Sequence, residues 1–168
     1  MPDVFVEHMI ARRPTAAVLA QKALIALAAL AVATLSLFFL GPFALIFVFG
    51  AGWGMIILIR RLDLEFEYSI TNGEMDVDKI MGRRSRKRLF SVDCRTFDIL
   101  APCKDEYRGE AESQTITRRI DVSSHIQSPG RWFAVFNSKD GVRTLLIFEP
   151  SEKMLNTFKI YIASKIKP

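Results

Sequence analysis

LDLEFEYSIT (Leu62–Thr71), NG (Asn72-Gly73) and EMDVDKIM (Glu74–Met81) form the stretch whose reading decides the fold. Leu62, Leu64, Phe66, Tyr68 and Ile70 alternate with Asp63, Glu65, Glu67, Ser69 and Thr71, a strict period of two that marks a strand with one face in a core. Asn72-Gly73 supplies the positive-φ pair that a two-residue type I′ hairpin turn requires. The second strand then points Met75 and Val77 inward and Glu74, Asp76 and Asp78 outward. Across such a hairpin Glu67 falls opposite Asp78 and Ser69 opposite Asp76, and opposed like charges are destabilising. A positive group is therefore expected beside them, and RRSRKR (Arg83–Arg88) is the nearest.

Downstream, Leu89–Val92, Thr96–Leu100 and a segment within Thr115–Val122 read as further strands, with the charged Lys104–Ser113 as an exposed loop. Arg131–Asn137 and Arg143–Phe148, rich in aromatic and β-branched residues, flank Ser138-Lys139-Asp140-Gly141 as a last hairpin. Ser151 is placed to cap a helix with Glu152 in its first turn. Met154, Leu155, Phe158, Ile162 and Ile166 make its apolar stripe, while Lys153, Lys159 and Lys165 face water. About seven short antiparallel strands closed by one amphipathic helix is the element order of a pleckstrin-homology (PH)-like barrel, although other small barrels share the pattern.

Upstream the chain changes character. Of 168 residues, 23 are Lys or Arg and 18 Asp or Glu, a formal charge of +5, and mean hydropathy is +0.20. A positive hydropathy in a chain that is 24% charged requires segregation. All but three of the basic and two of the acidic residues lie from Arg60 onward, and Ala23–Ile59 contains no charged residue or His. That excludes an ordinary soluble domain, a disordered chain and a disulfide scaffold. An apolar block of this length suits two membrane crossings, each needing about 20 residues. Gly41-Pro42 divides it into spans 23–40 and 42–59. The expected domains are a 1–22 segment, a 23–59 transmembrane hairpin, and a mainly-β (α+β) soluble domain over 62–168.

Arg12, Arg13 and Lys22 precede the hairpin, Arg60 and Arg61 follow it, and its turn is uncharged. The positive-inside rule then predicts a multi-pass protein of the cell membrane with both termini cytoplasmic. Ala31-Val32-Ala33 resembles a signal-peptide cleavage site, but the apolar run continues through Phe38-Phe39-Leu40. Val4, Phe5, Met9 and Ile10, ahead of Arg12-Arg13, read as a short interfacial helix or a frayed terminus. Ala29/Ala33 and Gly50/Gly54 are small pairs at i, i+4 and at matching depths from Gly41, so close packing of the two helices explains both. Oligomerisation through Gly50 and Gly54 is the alternative. With only Thr34, Ser36 and Trp53 offering polar atoms, the hairpin reads as an anchor rather than a transport path.

No catalytic, cofactor or metal site emerges. Asp121-Val122-Ser123-Ser124-His125 holds three triad residue types, but such groups normally converge from distant segments, and a polar loop is the better reading. Glu74, Asp76 and Asp78 lack the glycine-containing loop of a calcium site, and adjacent basic residues compete for them. Cys94 and Cys103 have no metal-ligand spacing and read as two reduced thiols.

The hairpin, EYSITNGEMDVDKI (Glu67–Ile80), the basic run, and IFEP (Ile147–Pro150) before Met154-Leu155 together resemble a family of small uncharacterised membrane proteins of Gram-positive bacteria. The resemblance covers nearly the whole chain and implies a bacterial PH-like domain, of unknown function, behind a membrane hairpin. It carries no described catalytic or binding residues. The expected function is a non-enzymatic, membrane-anchored module that binds a protein or peptide, with electrostatic lipid-surface sensing as the alternative. Nucleic acid is not expected as a partner, since only Phe90 lies near the basic run for stacking. Arg60, Arg61, Arg83, Arg84, Arg86, Lys87 and Arg88 are the candidate membrane-surface contacts, because the second strand returns toward the bilayer from which the first departs. A phosphoinositide-type PH site draws basic residues from a long loop between the first two strands. Here Asn72-Gly73 occupies that position, so specific headgroup recognition is not expected.

Overall fold

Residues 4–167 are described in a computed structural model of the chain. They form two compact units. One comprises the chain up to Arg12, Glu65–Lys79 and the chain from Arg86 on; the other comprises Arg13–Leu64 and Ile80–Ser85.

The first unit is built on two four-stranded sheets. β1 (Phe5–Ala11), β2 (Leu64–Thr71), β3 (Glu74–Met81) and β4 (Ser85–Asp93) lie in that order. β5 (Phe97–Pro102), β6 (Arg118–Asp121), β7 (Trp132–Asn137) and β8 (Arg143–Phe148) form the second, ordered β5-β7-β8-β6, with β6 parallel to β8. The expectation of about seven strands in a closed barrel is thus corrected to eight strands in two sheets. β4 and β6 remain sheet edges. The strand absent from the expectation is β1, read from sequence as a helix or a frayed end. Phe5 and Met9 are four residues apart, which is a helical spacing but also twice the strand period, so they share a face in either conformation. Val6, His8 and Ile10 are half-buried and the residues between them are exposed. Consequently the connection between the first two strands is the helical hairpin itself, not Asn72-Gly73, and the argument from a short loop no longer applies.

Tyr68, Ile70, Met75 and Val77 of the first sheet share a core with Leu100, Phe136, Leu146 and Phe148 of the second. The Tyr68 hydroxyl donates to the Val122 carbonyl at 2.5 Å, a buried tie between β2 and the end of β6. Its ring meets Phe148 edge-on at 5.7 Å. α3 (Glu152–Ile162) is capped as its sequence implies, Met154 N donating to Ser151 Oγ at 3.3 Å. Met154, Phe158 and Ile162 are buried, and Phe158 lies 6.0 Å from Phe97 and 6.1 Å from Phe148. Leu155 is only half-buried, and the helix stops before Ile166. Lys165 turns back to donate to the Arg95 carbonyl at 2.7 Å, and Ile166 bridges to Leu100 of β5.

The second unit holds α1 (Ala16–Phe39) and α2 (Ala44–Arg61), both long and apolar enough to cross a membrane. Gly41 reverses the chain at φ +51°, and Pro42 opens the 3₁₀ turn Gly41–Phe43. Thr34 donates to the Leu30 carbonyl and Ser36 to the Ala33 carbonyl, so these hydroxyls are satisfied within α1. Lys22 pairs with Asp63 at 2.6 Å, joining the start of the hairpin to its end. Ala29 and Ala33 are half-buried on α1; on α2 Ala44 is buried, and Val48, Ala51, Gly52, Gly54, Met55, Ile57 and Ile59 are half-buried. Gly50 is exposed, and a Cβ built at Gly50 or Gly54 meets nothing within 4 Å.

Replacing Phe158 with Ala is expected to cost about 3–5 kcal/mol, the range for emptying a fully enclosed aromatic site. Denaturant unfolding of the full-length chain in neutral detergent checks it; a loss below about 1 kcal/mol would show that the ring is not enclosed.

Candidate functional site

The hairpin turn at Asn72-Gly73 has φ +51° and +93°, the type I′ pair its sequence implies. A second such turn joins β3 to β4. Gly82 and Arg83 have φ +58° and +57°, and Arg84 N donates to the Met81 carbonyl at 3.2 Å. This second turn divides the basic run. Arg83 and Arg84 lie in the turn, whereas Arg86, Lys87 and Arg88 are inside β4 and obey its alternation.

On the outer face of the first sheet, Glu67 and Asp78 are carboxylates only 4% and 5% exposed. Arg86 ion-pairs with Glu67 and reaches Asp78 at 3.9 Å. Arg88 places Nε 2.6 Å from Asp78 and Nη1 2.7 Å from Asp76. The positive group expected opposite the acidic hairpin is thus this pair. Burial raises the Glu67 carboxyl above its ordinary range, with Arg86 opposing and Glu7 and Asp78 adding to the rise. Ser91 donates to Glu74 at 2.7 Å, so all three alternate acids of β3 are engaged by β4. In the loop after β6, Ser123 donates to Asp121 at 2.6 Å, Arg131 pairs with Asp121 at 3.0 Å, and His125 Nδ1 accepts from Gln127 N. These contacts order the loop, and Ser123 faces Asp121 rather than the His125 ring.

Two concavities stand out. Within the first unit, a cleft of about 420 Å³ runs between the β4 and β6 edges, walled by Phe90, Val92, Ile120 and Phe136 with Arg118 and Lys139 at its rim. It is the seam left where the two sheets do not join. Within the second unit, a pocket of about 610 Å³ is bounded by Trp53, Ile56 and Ile57 on α2, by Arg60 and Arg61 in its last turn, and by Gly82 and Arg84 of the β3–β4 turn. The Gly82 N–H donates to the Asp63 carbonyl at 2.9 Å, and a Cβ on Gly82 would stand 2.8 Å from the Arg60 carbonyl oxygen. Only glycine lets the turn seat there.

Of the seven basic residues named from sequence, Arg60, Arg61 and Arg84 therefore converge on one pocket. Arg86 and Arg88 are held by carboxylates, Lys87 is exposed on β4, and Arg83 flanks the pocket in the turn. Sequence reasoning missed Gly82 as the seat of the turn and the seam with Phe90 and Phe136. The Gly82-Arg83 turn had a signal, a glycine between two strand-like runs, that the adjacent charges obscured.

The chain belongs to the family described as Bacterial PH-like domain (DUF6106), which it matches over residues 2–168, so the match takes in the apolar helices as well as the strands. No curated protein and no solved structure matches it.

A raised carboxyl pKa means that the folded state holds the Glu67 proton more tightly than the unfolded chain. Its contribution to stability is present below the ordinary value of 4.5 and is lost as pH rises through the raised value. Glu67→Gln is therefore expected to gain thermal stability relative to wild type as pH goes from 4.5 to 7.5. Arg86→Gln, which strands buried acceptors, is expected to lose about 1–3 kcal/mol at pH 7.5. Melting of the detergent-solubilised chain at both pH values reads both outcomes.

Proposed function

We propose that this bacterial PH-like chain is a non-enzymatic, membrane-anchored interaction module of the cell membrane. Residues 23–59 span the bilayer as a hairpin, while both termini and the two-sheet unit stand on the cytoplasmic face. The observation that carries the reading is the ladder between β1 and β2, in which Phe5 pairs with Thr71 and Ala11 with Glu65. One partner precedes α1 and the other follows α2, so their pairing demands an even number of crossings. Arg12, Arg13, Lys22, Arg60 and Arg61 at the two flanks favour the cytoplasm for that side. PH-like domains are generally non-catalytic interaction modules, which supports the same reading.

The partner we assign is an extended protein segment laid along the seam. β4 presents an edge strand there, Phe90 and Phe136 offer apolar pockets, and Lys139 favours acidic side chains. A second reading, contact with an anionic lipid surface, is favoured by the gathering of Arg60, Arg61 and Arg84. Each such residue near an anionic leaflet contributes on the order of 1 kcal/mol.

Topology has a built-in probe. Cys94 is buried, and burial pushes its thiol up to about 11, whereas Cys103 is exposed. A membrane-impermeant maleimide is expected to leave intact cells unlabelled and to modify inverted vesicles once per chain, at Cys103. Labelling of Cys103 from outside the cell would overturn the orientation. For the partner, a photo-crosslinking residue at Leu89, beside the seam, is expected to yield a protein adduct in native membranes that the same residue at exposed Ile126 does not. Adducts at neither position would count against the seam.

A further inference from the structure

We propose that the pocket of the helical unit is a discrete site for one anionic phospholipid drawn from the surrounding bilayer. Its phosphate would lie against Arg60, Arg61 and Arg84, and an acyl chain along Trp53, Ile56 and Ile57. This inference rests on the membrane reading above and goes beyond a diffuse electrostatic contact.

The stripe Trp53, Ile56, Ile57, Arg60 follows the spacing i, i+3, i+4, i+7, so these side chains share one face of α2. Seven residues of helix separate the indole from the first guanidinium by roughly 10 Å. A polar end above and an apolar wall below describe an amphiphile rather than a free ion. The volume, about 610 Å³, also falls within the range of sites for drug-sized ligands, far beyond what a phosphate alone needs.

The arginines of this pocket differ from their neighbours in the same run. Arg86 and Arg88 are neutralised by Glu67, Asp76 and Asp78. Among the described residues no ion pair involves Arg60, Arg61 or Arg84. Three guanidiniums around one cavity repel one another until an anion joins them, and their planar forks match phosphate oxygens bidentately. The pocket wall is fixed in advance, because Gly82 seats the turn against the Arg60 carbonyl with no room for a side chain.

Trp53 lines the apolar wall and is open to a bound chain. It is 70% exposed, too deep in the apolar block for an interfacial belt, and its indole N–H makes no hydrogen bond among the described residues.

The test uses the full-length chain in nanodiscs of phosphatidylcholine containing a minor fraction of phosphatidylglycerol, with Trp132→Phe so that Trp53 is the sole indole. Bromine is placed on the acyl chains of either lipid at the same mole fraction. Brominated phosphatidylglycerol is expected to quench Trp53 several-fold more than brominated phosphatidylcholine. Arg84→Gln should erase the difference, and millimolar glycerol phosphate should not restore the fluorescence. Equal quenching by both lipids overturns the site while leaving the membrane reading intact. Quenching by neither overturns the membrane reading and the site with it. Recovery with glycerol phosphate shows a headgroup site without a chain and also overturns the proposal. Native mass spectrometry of the chain with Trp132 retained gives the same decision without the Phe substitution. A phosphatidylglycerol adduct that outlasts phosphatidylcholine adducts and is lost in Arg84→Gln supports the site, and equal retention overturns it.

Discussion

Seven residues of β1 lie in register against β2, and the chain between the two strands is the whole helical hairpin. Bringing the ends of a flexible loop of that length together costs about 3–4 kcal/mol in chain entropy. The hairpin lowers this cost, because its helices are folded, its turn is fixed by Gly41-Pro42, and Lys22 pairs with Asp63 where it closes. The outcome is a PH-like unit whose first strand is delivered from the far side of two apolar helices. Its sheet cannot complete unless the hairpin returns to where it began, so folding of the hairpin and of the sheet are a single constraint.

The second consequence of strand geometry is the partition of the basic run. A run of six residues with five positive charges looks from composition like one patch. Once Ser85 starts β4, the period of two sends Arg86 and Arg88 to the face where Glu67, Asp76 and Asp78 are already committed. The turn before it keeps Arg84 beside the end of α2. Buried carboxylates that stand opposite each other would destabilise the hairpin by themselves. With the arginines present they become a polar layer on the outer face of the sheet, and Glu67 retains a raised pKa as the residue of that burial. The same six residues are therefore divided between the ion pairs of one unit and the pocket of the other.

Much was legible in the residues. The alternation of Leu64–Thr71, the Asn72-Gly73 turn, the last hairpin, the Ser151 cap and both apolar helices follow from local patterns that only one conformation satisfies. The return of Arg84 to the side of Arg60 and Arg61 followed from strand direction. The signal failed where a pattern fits two periods. Phe5 and Met9 satisfy helix and strand alike, and the partner that decides between them, β2, lies beyond the entire hairpin.

Sequence by itself thus determined the local elements, their order, and the segregation of charge from the apolar block, because propensity, periodicity and turn chemistry act over a few neighbouring residues. Tertiary structure alone decided that β1 completes the sheet, that the two sheets leave a seam between β4 and β6, and which arginines are neutralised and which share a pocket. Those outcomes depend on pairings between residues far apart in the chain, such as Phe5 with Thr71, and on the angular position of side chains around a helix or strand. No window of adjacent residues contains either quantity.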